Sequence, residues 1–125
     1  VPPQISPPIT LKAKNSMRGH QGEVRTIRFS QNGMTFVTAA ADPTVRLWKT
    51  EGLSFQFSYQ NHKKVAYTAI FTADQKTIIT GDEELVRFWD VEKGGPIGEG
   101  KDRGTYFDLY SSPDEKTLVA ANGYS

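Results

Sequence analysis

Apolar residues recur along the chain in short alternating runs. Phe55, Phe57 and Tyr59 are separated by Gln56 and Ser58, a period of two that fits a strand and not a helix. The runs 24–30, 35–41, 45–50 and 53–59 are short and rich in Val, Ile, Phe, Tyr and Thr, side chains that suit a pleated, half-buried surface. Turn-forming clusters separate them: Gln31-Asn32-Gly33, Ala41-Asp42-Pro43 and Glu51-Gly52. No window of about eleven residues carries a helical stripe. The pattern predicts an all-β chain of hairpins, with Gln56 and Ser58 on the exposed side of the outermost strand.

The pattern then repeats. Gly19-His20-Gln21-Gly22-Glu23-Val24-Arg25 aligns with Asn61-His62-Lys63-Lys64-Val65-Ala66-Tyr67, and Val45-Arg46-Leu47-Trp48 aligns with Val86-Arg87-Phe88-Trp89. The offset is 42 residues at the histidines and 41 at the tryptophans, so the second copy is one residue shorter between Thr80 and Trp89. A third copy starts near Tyr106 and follows the second at an offset of 40 through Ala120, with no Val-Arg-x-Trp segment after it.

A period near 40, a Gly-His opening and a Trp-Asp close (Trp89-Asp90) resemble the WD-repeat β-propellers over residues 9–125. Ser112-Pro113-Asp114-Glu115-Lys116-Thr117-Leu118 adds to the resemblance. The resemblance implies blades that are four-stranded antiparallel sheets. Residues 9–15 are then an outer strand, 19–59 and 61–99 two blades, and 101–125 an incomplete one. Such an incomplete ring would expose apolar blade faces. The missing third strand and the absence of an initiator Met lead to the expectation of a segment of a larger propeller, ahead of a ring assembled from identical chains.

The resemblance also implies a buried polar chain in each blade. Its members are His20, Thr38, Asp42 and Trp48 in the first copy. In the second they are His62, Thr80, Trp89 and either Asp82 or Glu83, a choice the shortened turn leaves open. In the third, Asp102 replaces the histidine and Ala120 the hydroxyl residue, so no such chain is expected. Trp48 is followed by Lys49 where the family has Asp.

Composition narrows the chemistry. The 125 residues suit a single domain, and the absence of cysteine excludes disulfides, thiolate metal sites and a cysteine nucleophile. The net charge is +1, so no strong field draws nucleic acid or anionic lipid, and no apolar run approaches the length of a membrane span. The start, Val1-Pro2-Pro3-Gln4, is not a signal peptide, and the expected location is cytoplasmic. Pro2, Pro3, Pro7 and Pro8 mark residues 1–8 as a semi-rigid linker.

Several motifs imitate active sites. His20, Thr38 and Asp42 have the residue types of a base, nucleophile and orienter, but a hydroxyl locked to an indole inside a strand cannot attack a substrate. Gly95-Pro96-Ile97-Gly98-Glu99-Gly100-Lys101-Asp102 nearly spells a phosphate loop. Asp102 lacks the hydroxyl for Mg²⁺ and a strand follows, so the stretch is expected to be a Gly-rich connection between blades. Similar Pro-Ile-Gly stretches join blades in many bacterial members of the family, which suggests a prokaryotic source. Asp82-Glu83-Glu84 is expected to be a solvated turn and not a cation site. Arg28 stands in the innermost strand and needs either a partner or the central channel.

No catalytic, cofactor or metal site is expected, and the chain reads as a non-catalytic scaffold for protein partners. The alternatives are a sensory or regulatory propeller attached to a signalling or nucleotide-hydrolysing domain and, behind it, an enzyme. In the family, side chains flanking the first residue of the inner strand reach one rim. Here these are Glu23 and Arg25, Val65 and Tyr67, and Thr105 and Phe107, with Ala41 nearby.

Overall fold

The molecule is described by a computed structural model over residues 19–42, 44–59, 64–100, 102–114 and 116–123. The segments expected as linker (1–8) and outer strand (9–15) lie outside the described residues, as do His62 and Lys101. Among the described residues the first antiparallel sheet is β1 (Val24–Phe29), β2 (Thr35–Ala40), β3 (Val45–Lys49) and β4 (Ser54–Tyr59), in that order. The second repeats it with β5 (Ala66–Phe71), β6 (Thr77–Asp82), β7 (Val86–Asp90) and β8 (Pro96–Glu99). The third is a pair, β9 (Thr105–Ser111) and β10 (Leu118–Gly123). The chain is all-β, built of the four-stranded antiparallel units expected of incomplete propeller blades.

The sheets pack face to face, with β1, β5 and β9 side by side. Val37, Ala39, Val45, Leu47 and Tyr59 of the first sheet close against Ala66, Ala69, Phe71, Ile78 and Trp89 of the second. A second apolar cluster joins Ile70, Ile79 and Val86 to Tyr106 and Leu109 of the third. Here the sheets approach closely at Gly81, where an added Cβ would lie 2.7 Å from the Tyr106 Cβ. A side chain at that position would push the two sheets apart.

Three tight hairpins close the first two strands of each sheet by one device. Ser30, Thr72 and Ser112 donate through their hydroxyls to Asn32, Asp74 and Asp114, two residues on. Each acceptor also takes a backbone N–H from the next residue but one: Met34, Lys76 and Lys116. This side-chain turn explains why polar residues recur where the chain reverses. The hydroxyl bond, followed by the backbone one, lowers the carboxyl pKa of Asp74 and of Asp114.

Two expectations are corrected. The stretch from Gly95 to Asp102 is not merely a connection: Pro96–Glu99 is the outermost strand of the second sheet, paired to β7 and anchored by Arg87 to Glu99 at 2.8 Å. Gln56 and Ser58 are not an exposed side. The register between β3 and β4 skips at Gln56, since Leu47 pairs with Phe57 and Trp48 with Phe55. Phe55 and Phe57 are exposed, and Gln56 and Ser58 are half-buried.

Tyr59 shows the cost of that packing. Its ring lies 5.3 Å from that of Trp89, and its hydroxyl is buried without a partner. Burial, helped by the Asp90 charge, pushes its pKa up to about 12. Removing an orphaned hydroxyl while keeping the ring costs little. Tyr59→Phe is therefore expected to leave stability unchanged or raise it by about 1 kcal/mol in a chemical melt. A loss of that size would show that the hydroxyl bond is made after all.

Candidate partner-docking rim

Within the first sheet, His20 Nδ1–H faces the Asp42 carboxylate at 3.1 Å, and Nε2 faces the Thr38 hydroxyl at 2.5 Å. The Trp48 indole N–H donates to the same hydroxyl at 3.0 Å. With the proton on Nδ1 the chain runs in one direction: indole to hydroxyl, hydroxyl to Nε2, Nδ1–H to carboxylate. Thr38 is buried and both its proton and its oxygen are engaged. This geometry provides no exposed nucleophile. Gly22 backs the site, because a Cβ there would fall on the Asp42 backbone.

The second sheet keeps the indole end, with Trp89 Nε1–H donating to Thr80 at 2.9 Å. Asp82, and not Glu83, is the buried carboxylate of its turn. It accepts the backbone N–H groups of Glu84 and Leu85 and the Nε–H of Arg87 at 2.9 Å. Glu83 and Glu84 turn to other partners, Tyr67 and Lys64. Among the described residues no group of three or more His, Cys, Asp or Glu side chains is placed to hold a metal ion.

The burial of Asp42 raises its pKa. Hydrogen bonds from Thr44, the Gln21 N–H and His20, with the His20 charge, outweigh that and hold it at about 2. A depressed folded-state value means the carboxylate contributes stability above its unfolded value, near 3.8, and that this is lost as pH falls through about 2. Wild type is expected to lose thermal stability across that window more steeply than Asp42→Asn. Parallel acid-dependent melts for the two proteins would reveal the carboxylate's share, and identical profiles would exclude it.

The residues expected at the rim are positioned by a feature that repeat spacing does not show. In β1 the pairing steps from Val24–Ala40 to Thr26–Ala39 and skips Arg25. In β5 it steps from Ala66–Asp82 to Thr68–Gly81 and skips Tyr67. In β9 it steps from Tyr106–Asn122 to Asp108–Ala121 and skips Phe107. Arg25, Tyr67 and Phe107 are each the extra residue of a bulge at the same point of three consecutive inner strands. A bulge releases a residue from the ladder and re-aims its side chain.

The three side chains meet. The Arg25 guanidinium lies 5.6 Å from the Tyr67 ring centroid, and the Tyr67 and Phe107 rings are 5.3 Å apart. Phe107 is 52% exposed. The Tyr67 hydroxyl donates to Glu83 at 3.2 Å. Burial, then Glu83, raises the Tyr67 pKa against the opposing charge of Arg25.

Two grooves flank this ridge. One, of about 550 Å³, is lined by Arg25, Ile27, Arg28, Tyr67, Phe107 and Asp108 among others. The other, of about 580 Å³, runs between Lys64, Glu83, Arg103, Thr105 and Asn122, with Tyr67 and Phe107 on its wall.

Of the remaining expected residues, Thr105 joins the second groove and reaches the Glu83 carbonyl at 3.4 Å. Glu23 approaches Arg25 at 3.9 Å, and its carbonyl accepts the Ala41 N–H at 2.8 Å. Val65 is half-buried just ahead of β5 and lines neither groove. Arg28 has a partner: it reaches Asp108 on β9 at 3.3 Å and lies over the Tyr110 ring. The Asp108 oxygen it meets also accepts the Thr68 hydroxyl, so one carboxylate ties the inner strands of three sheets together. Lys64, Glu83, Arg103 and Asn122 line the second groove and were not expected there. Only the acidic run beside Asp82 hinted at them.

The family profile described as "WD domain, G-beta repeat" matches residues 11–49. The chain is 30% identical over 93% of its length to apoptotic protease-activating factor 1 of Rattus norvegicus, and covers 10% of that protein. It is 34% identical over 62% of its length to the serine-threonine kinase receptor-associated protein of Dictyostelium discoideum, covering 27% of it. It is 28% identical over 82% of its length to the WD repeat-containing protein WDS homolog of Arabidopsis thaliana, covering 21%. The chain thus spans a small part of each relative.

Proposed function

Because this chain belongs to the WD-repeat family of β-propeller proteins, a family of interaction modules that is generally non-catalytic, we propose that it is a scaffold docking other proteins on the Arg25–Tyr67–Phe107 rim. The observation that carries the reading is the bulge shared by three inner strands, which gathers an arginine and two aromatic rings into one exposed ridge. Arg, Tyr and Phe are enriched in the buried centres of protein interfaces. Glu23, Ala41, Val65 and Thr105 form the surroundings of that ridge in this proposal. In the same proposal His20, Thr38, Asp42 and Trp48, with Thr80, Asp82 and Trp89, are its structural support.

The names of two relatives describe a protease-activating factor and a receptor-associated protein. These names support a partner-binding role and a link to signalling. A cytoplasmic setting and the absence of enzyme activity belong to the same proposal. Among the described residues no helix is long and apolar enough to cross a membrane. Further blades, on one chain or on identical chains, would cover the apolar side chains of Phe29, Tyr110 and Val119 that the sheets leave exposed. Nucleic acid is not part of this reading.

The test is affinity for an identified protein partner. Arg25→Ala, Tyr67→Ala and Phe107→Ala are each expected to weaken binding by about 2 kcal/mol, while circular dichroism stays unchanged. Ile97→Ala is the control, because Ile97 is the exposed bulge residue of the outer strand β8. Equal binding by the control and the three rim variants would move the docking face elsewhere on the molecule.

A further inference from the structure

The rim contains a cation that lies over an aromatic ring and whose donors are unused among the described residues. Arg25 is released from the β1 ladder by its bulge, and its guanidinium is held over the Tyr67 ring, which is braced in turn by Phe107. Among the described residues none of its N–H groups has an acceptor within hydrogen-bonding distance. The nearest carboxylate, Glu23, stays at 3.9 Å. Arg28, on the same strand, differs. Its N–H groups reach Asp108, Tyr110 and the Ile27 carbonyl. The ring contact leaves the N–H edge of Arg25 without an acceptor among the described residues, and the side chain is 38% exposed. A planar guanidinium held this way meets a carboxylate through two parallel hydrogen bonds, with less ordering left to pay for than a free arginine would need.

We propose that the Arg25 edge of the rim receives an acidic side chain, Asp or Glu, from an extended segment of a partner protein whose neighbouring apolar residue packs on Tyr67 and Phe107. This rests on the reading of the rim as a docking face and gives that face its chemistry. The groove beside Arg25, about 550 Å³, has room for both side chains. Its wall combines Arg25 and Arg28 with Ile27, Tyr67 and Phe107, so charge and apolar surface lie next to each other.

A carboxylate suits this edge better than a phosphate. Glu23 lies beside Arg25, Asp108 lines the groove and Glu83 holds the Tyr67 hydroxyl. Those three acids repel a group carrying nearly two negative charges more strongly than a group carrying one.

The experiment selects peptides from a displayed random library on the intact chain and repeats the selection on Arg25→Ala, Arg25→Glu, Tyr67→Ala and Phe107→Ala. The expected result is an Asp or Glu one or two positions from an aromatic or aliphatic residue. Arg25→Ala loses the acidic preference and Arg25→Glu replaces it with Lys or Arg. For a selected peptide, Asp→Asn is expected to weaken binding to wild type about tenfold or more, and to leave binding to Arg25→Ala unchanged.

Peptides that need Tyr67 and Phe107 but show no acidic position, or whose acidic preference survives Arg25→Ala, overturn this inference and leave the docking rim standing. A selected peptide that binds more tightly when its acid is replaced by phosphoserine overturns the choice of carboxylate. Peptides indifferent to all four substitutions, or no enrichment at all, overturn both the inference and the rim.

Discussion

Trp89→Ala is expected to lower stability by about 3–5 kcal/mol, the range for deleting a large buried aromatic. Two contributions add. Trp89 is 1% exposed and fills the space between the first two sheets, where Tyr59 packs on it and Leu47, Ala69 and Ile78 share its cluster. Truncation leaves a cavity that rigid strands on both sides cannot close. The indole N–H also donates to Thr80 inside the sheet, and alanine supplies no donor in its place. Trp89→Phe separates the two, because it keeps most of the apolar volume and removes only the donor. It should cost about 1–3 kcal/mol. Equilibrium denaturation of both variants is the measurement. A shift within about 0.5 kcal/mol for Trp89→Ala would mean that this interface does not hold the sheets together.

The same residues show what can be read from one chain. Both tryptophans stand out in sequence because Val-Arg-x-Trp recurs at matched spacing, and β1 to β4 begin and end within a residue of the apolar runs. What the spacing cannot carry is the register between strands. The skip at Gln56 is a property of how β4 lies on β3, and alternation alone placed Gln56 and Ser58 on the wrong side. The skips at Arg25, Tyr67 and Phe107 are invisible for the same reason. The three positions are recognisable as equivalent by their offsets. That they leave the ladder and meet one another depends on the distance between sheets, which no local pattern encodes. Asp82 was one of two choices in a shortened turn. Asp82 is the buried one, and the N–H groups of Glu84 and Leu85 converge on it.

Leu109→Ala tests whether the third sheet is held by the second, and is expected to cost about 2–5 kcal/mol. Leu109 is fully buried at the contact, where it packs with Ile70, Ile79 and Val86 across the gap and with Tyr106 on its own strand. The third sheet has two strands among the described residues, and β10 is exposed along nearly its whole length. An isolated two-stranded hairpin is marginal in water. Its order therefore rests on Tyr106 and Leu109, with the Asp108 bonds to Thr68 and Arg28 as polar support. Loss of Leu109 should then release β9 and β10 before the rest of the chain. Hydrogen exchange would show protection falling first at 105–111 and 118–123 while β5 to β7 keep theirs. Val119→Ala is the matched control, an apolar truncation on the exposed strand that should stay within about 0.5 kcal/mol. Equal losses from Leu109→Ala and Val119→Ala would mean that contacts other than this cluster order the third sheet. Because Phe107 lies between Tyr106 and Asp108 on the same strand, release of β9 would also break up the rim. Leu109→Ala should therefore weaken partner binding without any contact of its own, in proportion to the population of the opened form.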